Sequence, residues 1–80
     1  MVKYKKIYFD YYKLAEQDYI LCEICNNKGV DIHHLIFKSR GGKDNIENLI
    51  CLCRECHIKA HDNPVFNQKL INIKNNEFKQ

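Results

Sequence analysis

The eighty residues contain no tryptophan, one methionine, one proline and three glycines. With hydrophobic residues at 45% and tryptophan missing, the core is thin for this length. A chain this small buries a modest share of its surface, and apolar burial barely exceeds the entropy lost on ordering, so a staple is needed. The length holds one small domain, with no internal repeat, low-complexity block or linker to divide it. Long apolar runs are also missing. The longest, Leu49 to Cys53, falls far short of the roughly 20 residues that span a bilayer. Asp10, Lys13 and Glu16 interrupt the amino-terminal segment where a signal peptide would need an unbroken apolar stretch. The expectation is an intracellular protein, in the cytoplasm of a bacterium or of a phage-infected host.

Neither sign of charge dominates. Thirteen Lys and Arg against ten Asp and Glu give +3, which permits a polyanionic partner without requiring one. If four thiolates hold a divalent zinc, the charge of the folded domain drops toward about +1, so any nucleic-acid affinity must come from local placement of charge and from bound metal.

What the chain does have is five cysteines and four histidines. Cys22/Cys25 and Cys53/Cys56 are two Cys-x-x-Cys pairs, with Cys25 and Cys53 28 positions apart. A two-residue gap lets two thiolates of one turn reach adjacent corners of a tetrahedron, and two such turns close a four-sulfur zinc site. Metal binding then becomes folding free energy. In a reducing interior this outweighs buried thiols or a redox pair. The gap exceeds the ~15–20 residues of a simple zinc ribbon, so something else is inserted between the knuckles. Cys51 could compete with Cys53 as a ligand, but its apolar setting favours a small buried hydrophobe.

The periodicity from Ile7 to Ile20 reads as an amphipathic helix, although Ile, Tyr and Phe also suit a strand. The five tyrosines, most of them in this segment, read as packing residues. Cys22 to Gly29 reads as a metal-binding turn in which Asn and Gly supply positive φ. Short strands are expected at Val30–Ile36 and Leu49–Leu52, around a polar glycine loop at 39–45. A helix runs from Arg54 to about His61 and stops near Pro64. Val65–Ile73 reads as a closing helix packed on the first, and Lys74–Gln80 as a frayed end.

His57 and His61 are four apart and share one helix face, so both can ligate one ion. His33 and His34 are adjacent, and on a strand their side chains diverge. One of them should ligate and the other should do something else. A histidine beside a metal but not bound to it is suited to general-base work at neutral pH. With a cation to offset developing negative charge, that is the minimum equipment for phosphodiester hydrolysis.

The run Asp31-Ile32-His33-His34-Leu35-Ile36, then Lys38-Ser39-Arg40-Gly41-Gly42, Asn45-Ile46-Glu47-Asn48-Leu49, and Leu52-Cys53-Arg54-Glu55-Cys56-His57 with His61 resembles the HNH endonucleases across residues 22 to 61. The resemblance implies an α+β chain with a ββα-metal core around one divalent cation, stapled by the four-cysteine zinc site and flanked by amino- and carboxy-terminal helices. It implies metal-dependent DNA cleavage leaving 5′-phosphate and 3′-hydroxyl ends. By its motif His34 is the general base, Asn48 orders the loop and helps hold the base, and His33, His57 and His61 bind the cation. The family often has Asp where this chain has His33. An imidazole there leaves Mg²⁺, Mn²⁺, Ni²⁺ and Zn²⁺ open, since imidazole suits the later metals better than Mg²⁺.

Lys38, Arg40, Lys43 and Arg54 are candidate phosphate contacts, with Arg40 in the glycine loop best placed. The expected partner is DNA, double-stranded. So short a chain leaves little room for a separate DNA-reading module, so specificity is low or comes from a homodimer or a protein partner. The alternative is a non-catalytic zinc module that binds nucleic acid or protein, which would need the cysteines but not the histidines.

Overall fold

The computed structural model describes residues 1–78. Its elements are α1 (Lys3–Tyr11), β1 (Asp31–His34), β2 (Leu49–Leu52), α2 (Arg54–Asp62) and α3 (Pro64–Glu77), with single 3₁₀ turns at Lys38–Arg40 and Ile46–Asn48. This is an α+β arrangement in which a two-stranded antiparallel sheet pairs Asp31 with Leu52 and His34 with Leu49.

All four residues of β2 are fully buried, because each face of the hairpin is covered. Side chains alternate along a strand. Leu49 and Cys51 therefore join Ile32 and Tyr8 against α1, while Ile50 and Leu52 join Leu35, Ala60 and Leu70 beneath α2 and α3. Each buried Leu or Ile contributes roughly 1.5–3 kcal/mol relative to exposure. The same alternation sends His33 and His34 to opposite faces of β1, as their adjacency predicts. His33 meets Asn67 of α3, and His34 meets Tyr4 of α1.

The first helix differs from its expected range. It begins at Lys3 and stops at Tyr11, where Lys13 takes a left-handed φ of 57° and Leu14 N–H bonds back to Phe9 O at 2.8 Å. Leu14 and Ile20 still pack into the α1-side core, so the apolar spacing was real while the helix was not continuous.

Pro64 both stops α2 and starts α3. A proline ring is tolerated in the first helical turn but not inside a helix, and Asn63 caps α3 by accepting from Val65 N–H at 3.0 Å and Phe66 N–H at 3.1 Å. The frayed end expected from Lys74 is corrected. Helix α3 continues to Glu77, Lys74 is fully buried, and Phe78 lies 5.6 Å from the Tyr11 ring. Residues 79 and 80 of that expected frayed end lie outside the described residues. Helix α3 packs mainly along α2, and its last turns reach the end of α1.

Lys74 is held by charge. Its Nζ lies 2.9 Å from Glu23 Oε1, 3.1 Å from Tyr12 Oη and 3.5 Å from Glu77 Oε1. Glu23 also accepts from Tyr8 O–H and from Cys51 N–H. One carboxylate thus ties the first Cys-x-x-Cys turn to β2, α1 and α3.

In that turn Asn26 supplies the positive φ, at 65°. Gly29 does not. It is needed for space, because a Cβ there would run into Cys51 Sγ and the Leu21 backbone.

Candidate metal centres and catalytic cleft

Cys22, Cys25, Cys53 and Cys56 bring their sulfurs within 4.8 Å of one another. Cys25 Sγ lies 3.6 Å from Cys53 Sγ and 3.9 Å from Cys56 Sγ. Zinc–sulfur bonds of about 2.3 Å at tetrahedral angles separate sulfurs by about 3.8 Å, so the cluster fits a structural metal such as zinc. None of the cysteines is in a disulfide. Cys53 caps α2, its Sγ accepting from Cys56 N–H at 3.4 Å.

Burial raises the Cys22 thiol, but backbone N–H groups of Cys25, Cys53 and Ile24 outweigh it and bring it down to about 7. Burial pushes Cys56 up, as do hydrogen bonds with neighbouring sulfurs. At Cys25 the Asn27 N–H lowers the thiol, yet desolvation and the Cys53 and Cys22 sulfurs leave it raised. Four crowded thiols ionise together only when a cation offsets their charge. Cys51 stands apart, fully buried, with burial first and then Glu23 pushing its thiol up to about 12.

A second group forms from β1 and α2. Ring nitrogens of His33, His57 and His61 lie within 4.8 Å of one another. One helical turn places His57 Nε2 and His61 Nε2 3.2 Å apart. Such close, converging imidazole nitrogens could hold a transition-metal ion. His57 Nδ1 is 2.8 Å from Asp31 Oδ2, and His33 Nε2 is 2.9 Å from Asn67 Oδ1. Asn67 Nδ2 donates to Leu35 O at 2.9 Å, which fixes that amide with its oxygen toward His33. Phe37 stacks on His61 with ring centroids 4.7 Å apart. Burial, reinforced by His57 and His61, lowers the His33 imidazole to about 4 against the partial opposition of Asn67. His33 therefore offers a neutral imidazole at neutral pH.

His34 borders the same cleft from the other face of β1. This cavity of about 200 Å³ is lined by His33, His34, His57 and His61 together with Tyr4, Ile32, Phe37 and Lys38. His34 Nε2 lies 2.8 Å from Asp44 Oδ1, and its ring sits edge-on to Tyr4 at 4.7 Å. The hydrogen bond from His34, followed by those from Lys38, holds the Asp44 carboxyl below its ordinary range.

Asn48 spans the loop between the strands. Its Oδ1 accepts from Ile36 N–H at 2.8 Å, and its Nδ2 donates to Ile36 O at 3.1 Å and Lys43 O at 2.9 Å. The basic residues are distributed unevenly. Lys38 stands at the cleft itself, 3.3 Å from Asp44, whereas Arg40 lines an adjoining hollow with His61 and Asn67. Lys43 borders a third hollow beside Asn48, and Arg54 Nε lies 3.5 Å from Asp31. Of the four, Lys38 rather than Arg40 is thus the cation that lines the cleft.

Sequence reasoning missed Asp31, Asp44, Asn67, Phe37 and Tyr4. Asp31 had a signal, since it lies two positions before His33 on a strand and must share its face. Asn67 and Tyr4 had none, because only tertiary packing brings α3 and α1 to the histidines.

No helix among the described residues is long and apolar enough to cross a membrane. Anaredoxin of Nostoc sp. (strain PCC 7120 / SAG 25.82 / UTEX 2576) is 43% identical over 42 residues, a stretch covering 50% of this chain and 55% of that protein. The chain therefore matches about half the length of that curated relative. No solved structure matches it. A profile described as HNH endonuclease matches residues 22–63, the stretch that carries both cysteine pairs and all four histidines. That match covers more than half of the sequence, and the chain belongs to the HNH endonuclease family.

Proposed function

We propose that this protein is a metal-dependent endonuclease that hydrolyses DNA phosphodiester bonds, with zinc in the four-cysteine site as its staple. The observation that carries the reading is the arrangement around β1. His33 turns to one face, where His57 and His61 complete a three-nitrogen group, and His34 turns to the other, yet all four border one cleft. His34 lies outside that nitrogen group, so its lone pair is free to take a proton from water. His33, His57 and His61 would hold one divalent cation, Mg²⁺, Mn²⁺, Ni²⁺ or Zn²⁺, and the imidazole donors favour the later metals. When bound, the cation offsets the negative charge that develops on the leaving 3′-oxygen. Asn48 keeps the loop over the cleft in place through its three backbone hydrogen bonds. Lys38, at the rim, meets the phosphate backbone, and Arg40 and Lys43 extend that contact along the loop.

The test is incubation of zinc-loaded protein with supercoiled double-stranded plasmid and each of the four cations, beside an EDTA control and His34→Ala. Metal-dependent nicked or linear product that disappears in a folded, zinc-loaded His34→Ala protein is the expected result. No conversion with any cation, by folded zinc-loaded protein, would overturn the reading in favour of a binding module that uses only the cysteines.

A further inference from the structure

The reading of His34 as the base leaves open what selects which of its two ring nitrogens carries the proton. Asp44 answers this geometrically. Its Oδ1 lies 2.8 Å from His34 Nε2, and the two side chains are 15% and 12% exposed. An ionised carboxylate only accepts hydrogen bonds, so the contact requires the proton on Nε2. The lone pair is then on Nδ1, which makes no hydrogen bond among the described residues.

Three further contacts make Asp44 a fixed acceptor rather than a mobile surface charge. Lys38 Nζ lies 3.3 Å from the same oxygen. Asn48 Nδ2 holds the carbonyl of Lys43, the residue before Asp44, at 2.9 Å. Gly42 N–H bonds to Phe37 O at 3.0 Å, and Gly41 turns the loop with a φ of 85°, where a side chain would be strained. On the far side the Tyr4 ring meets the imidazole edge-on at 4.7 Å, which limits rotation.

Resting on the reading of His34 as general base, we propose that Asp44 is its positioning residue, holding the proton on Nε2 so that Nδ1 faces the cleft to accept the proton of water. Asn48 then acts on the base indirectly, by fixing the segment that carries Asp44. Accepting a proton at Nδ1 leaves the imidazolium paired with the Asp44 carboxylate.

The experiment compares wild type, Asp44→Ala and Asp44→Asn by plasmid cleavage kinetics, zinc content and ¹⁵N NMR of the histidine side chains. In Asp44→Ala, kcat falls roughly 10²-fold, the scale of a misplaced general base, while KM stays within about twofold and zinc content is unchanged. Asp44→Asn, which keeps an oxygen acceptor, falls between the two. The His34 ¹⁵N shifts report a proton on Nε2 in wild type and a mixture of tautomers in Asp44→Ala. Undiminished kcat in Asp44→Ala, or a change confined to KM, overturns the proposal, because a carboxylate that only tunes Lys38 would alter DNA binding alone. If Asp44→Ala loses its zinc, the isosteric Asp44→Asn is read by the same criteria. A wild type that cleaves nothing removes the nuclease reading, and the NMR arm then decides the pairing by itself: a proton on Nδ1 in wild type overturns it.

Discussion

Asp31 Oδ2 lies 2.8 Å from His57 Nδ1, so the strand that carries His33 also aims a histidine of the neighbouring helix. A carboxylate accepting from Nδ1–H places the lone pair on Nε2, the atom 3.2 Å from His61 Nε2. Arg54 Nε approaches the same Asp31 oxygen at 3.5 Å. The pairing of β1 with β2 and the start of α2 directly after β2 bring these groups together. The candidate ligand set of His33, His57 and His61 is therefore assembled by the hairpin rather than by α2 alone.

Asp31→Ala is expected to weaken binding of Co²⁺ or Ni²⁺ at the histidine group by about 10- to 100-fold, the usual cost of losing a carboxylate behind a ligating imidazole. Calorimetric titration of zinc-loaded protein measures this, with zinc content as the control. Unchanged affinity would show that His57 needs no partner to face the ion.

Lys74→Met keeps most of the stem volume and removes the charge that Glu23 faces in the interior. Breaking one side of a buried ion pair costs about 3–5 kcal/mol. Glu23 and Glu77 retain some solvent, at 22% and 39% side-chain exposure, so a loss of roughly 2–3 kcal/mol is expected. Urea unfolding followed by circular dichroism reads it as a lower midpoint with an unchanged slope. A midpoint equal to wild type would mean that Lys74 contributes through its methylenes only.

Tyr8 gives a pH dependence with a definite sign. Burial first, and then the Glu23 carboxylate that accepts its O–H, raise its pKa well above the ordinary phenol value. Above about pH 10 the unfolded phenol releases its proton, while the folded one keeps it. The unfolded state then binds fewer protons, and stability falls as pH rises. Tyr8→Phe lacks this contribution. The stability difference between wild type and Tyr8→Phe should therefore shift against wild type above pH 10, approaching about 1.4 kcal/mol per pH unit. Urea titrations of both proteins at pH 9, 10 and 11 test it, and a difference constant across that range would refute the coupling. Alkaline loss of zinc affects both proteins and cancels.

The sequence by itself determined the features whose physics is local. Two Cys-x-x-Cys turns, and a helix with His57 and His61 one turn apart, carry the spacing of their clustered side chains in the sequence itself. The apolar run Leu49–Leu52 announced a short strand, and Pro64 could only punctuate two helices. Adjacent histidines on a strand had to diverge. What only the tertiary structure decided is which side chain stands behind each functional group. Asn67 reaches His33 across 34 positions, and Glu23 reaches Lys74 across 51. Spacing along the chain has no bearing on such contacts, because they exist only after the hairpin, α1 and α3 have packed. Lys74 shows this most plainly. A lysine near a chain end reads as solvated, and it is buried because Glu23, Tyr12 and Glu77 converge on it. The length of α1 was decided the same way, since the left-handed turn at Lys13 returns Leu14 to the core and overrides a helical pattern that the apolar spacing alone would have continued.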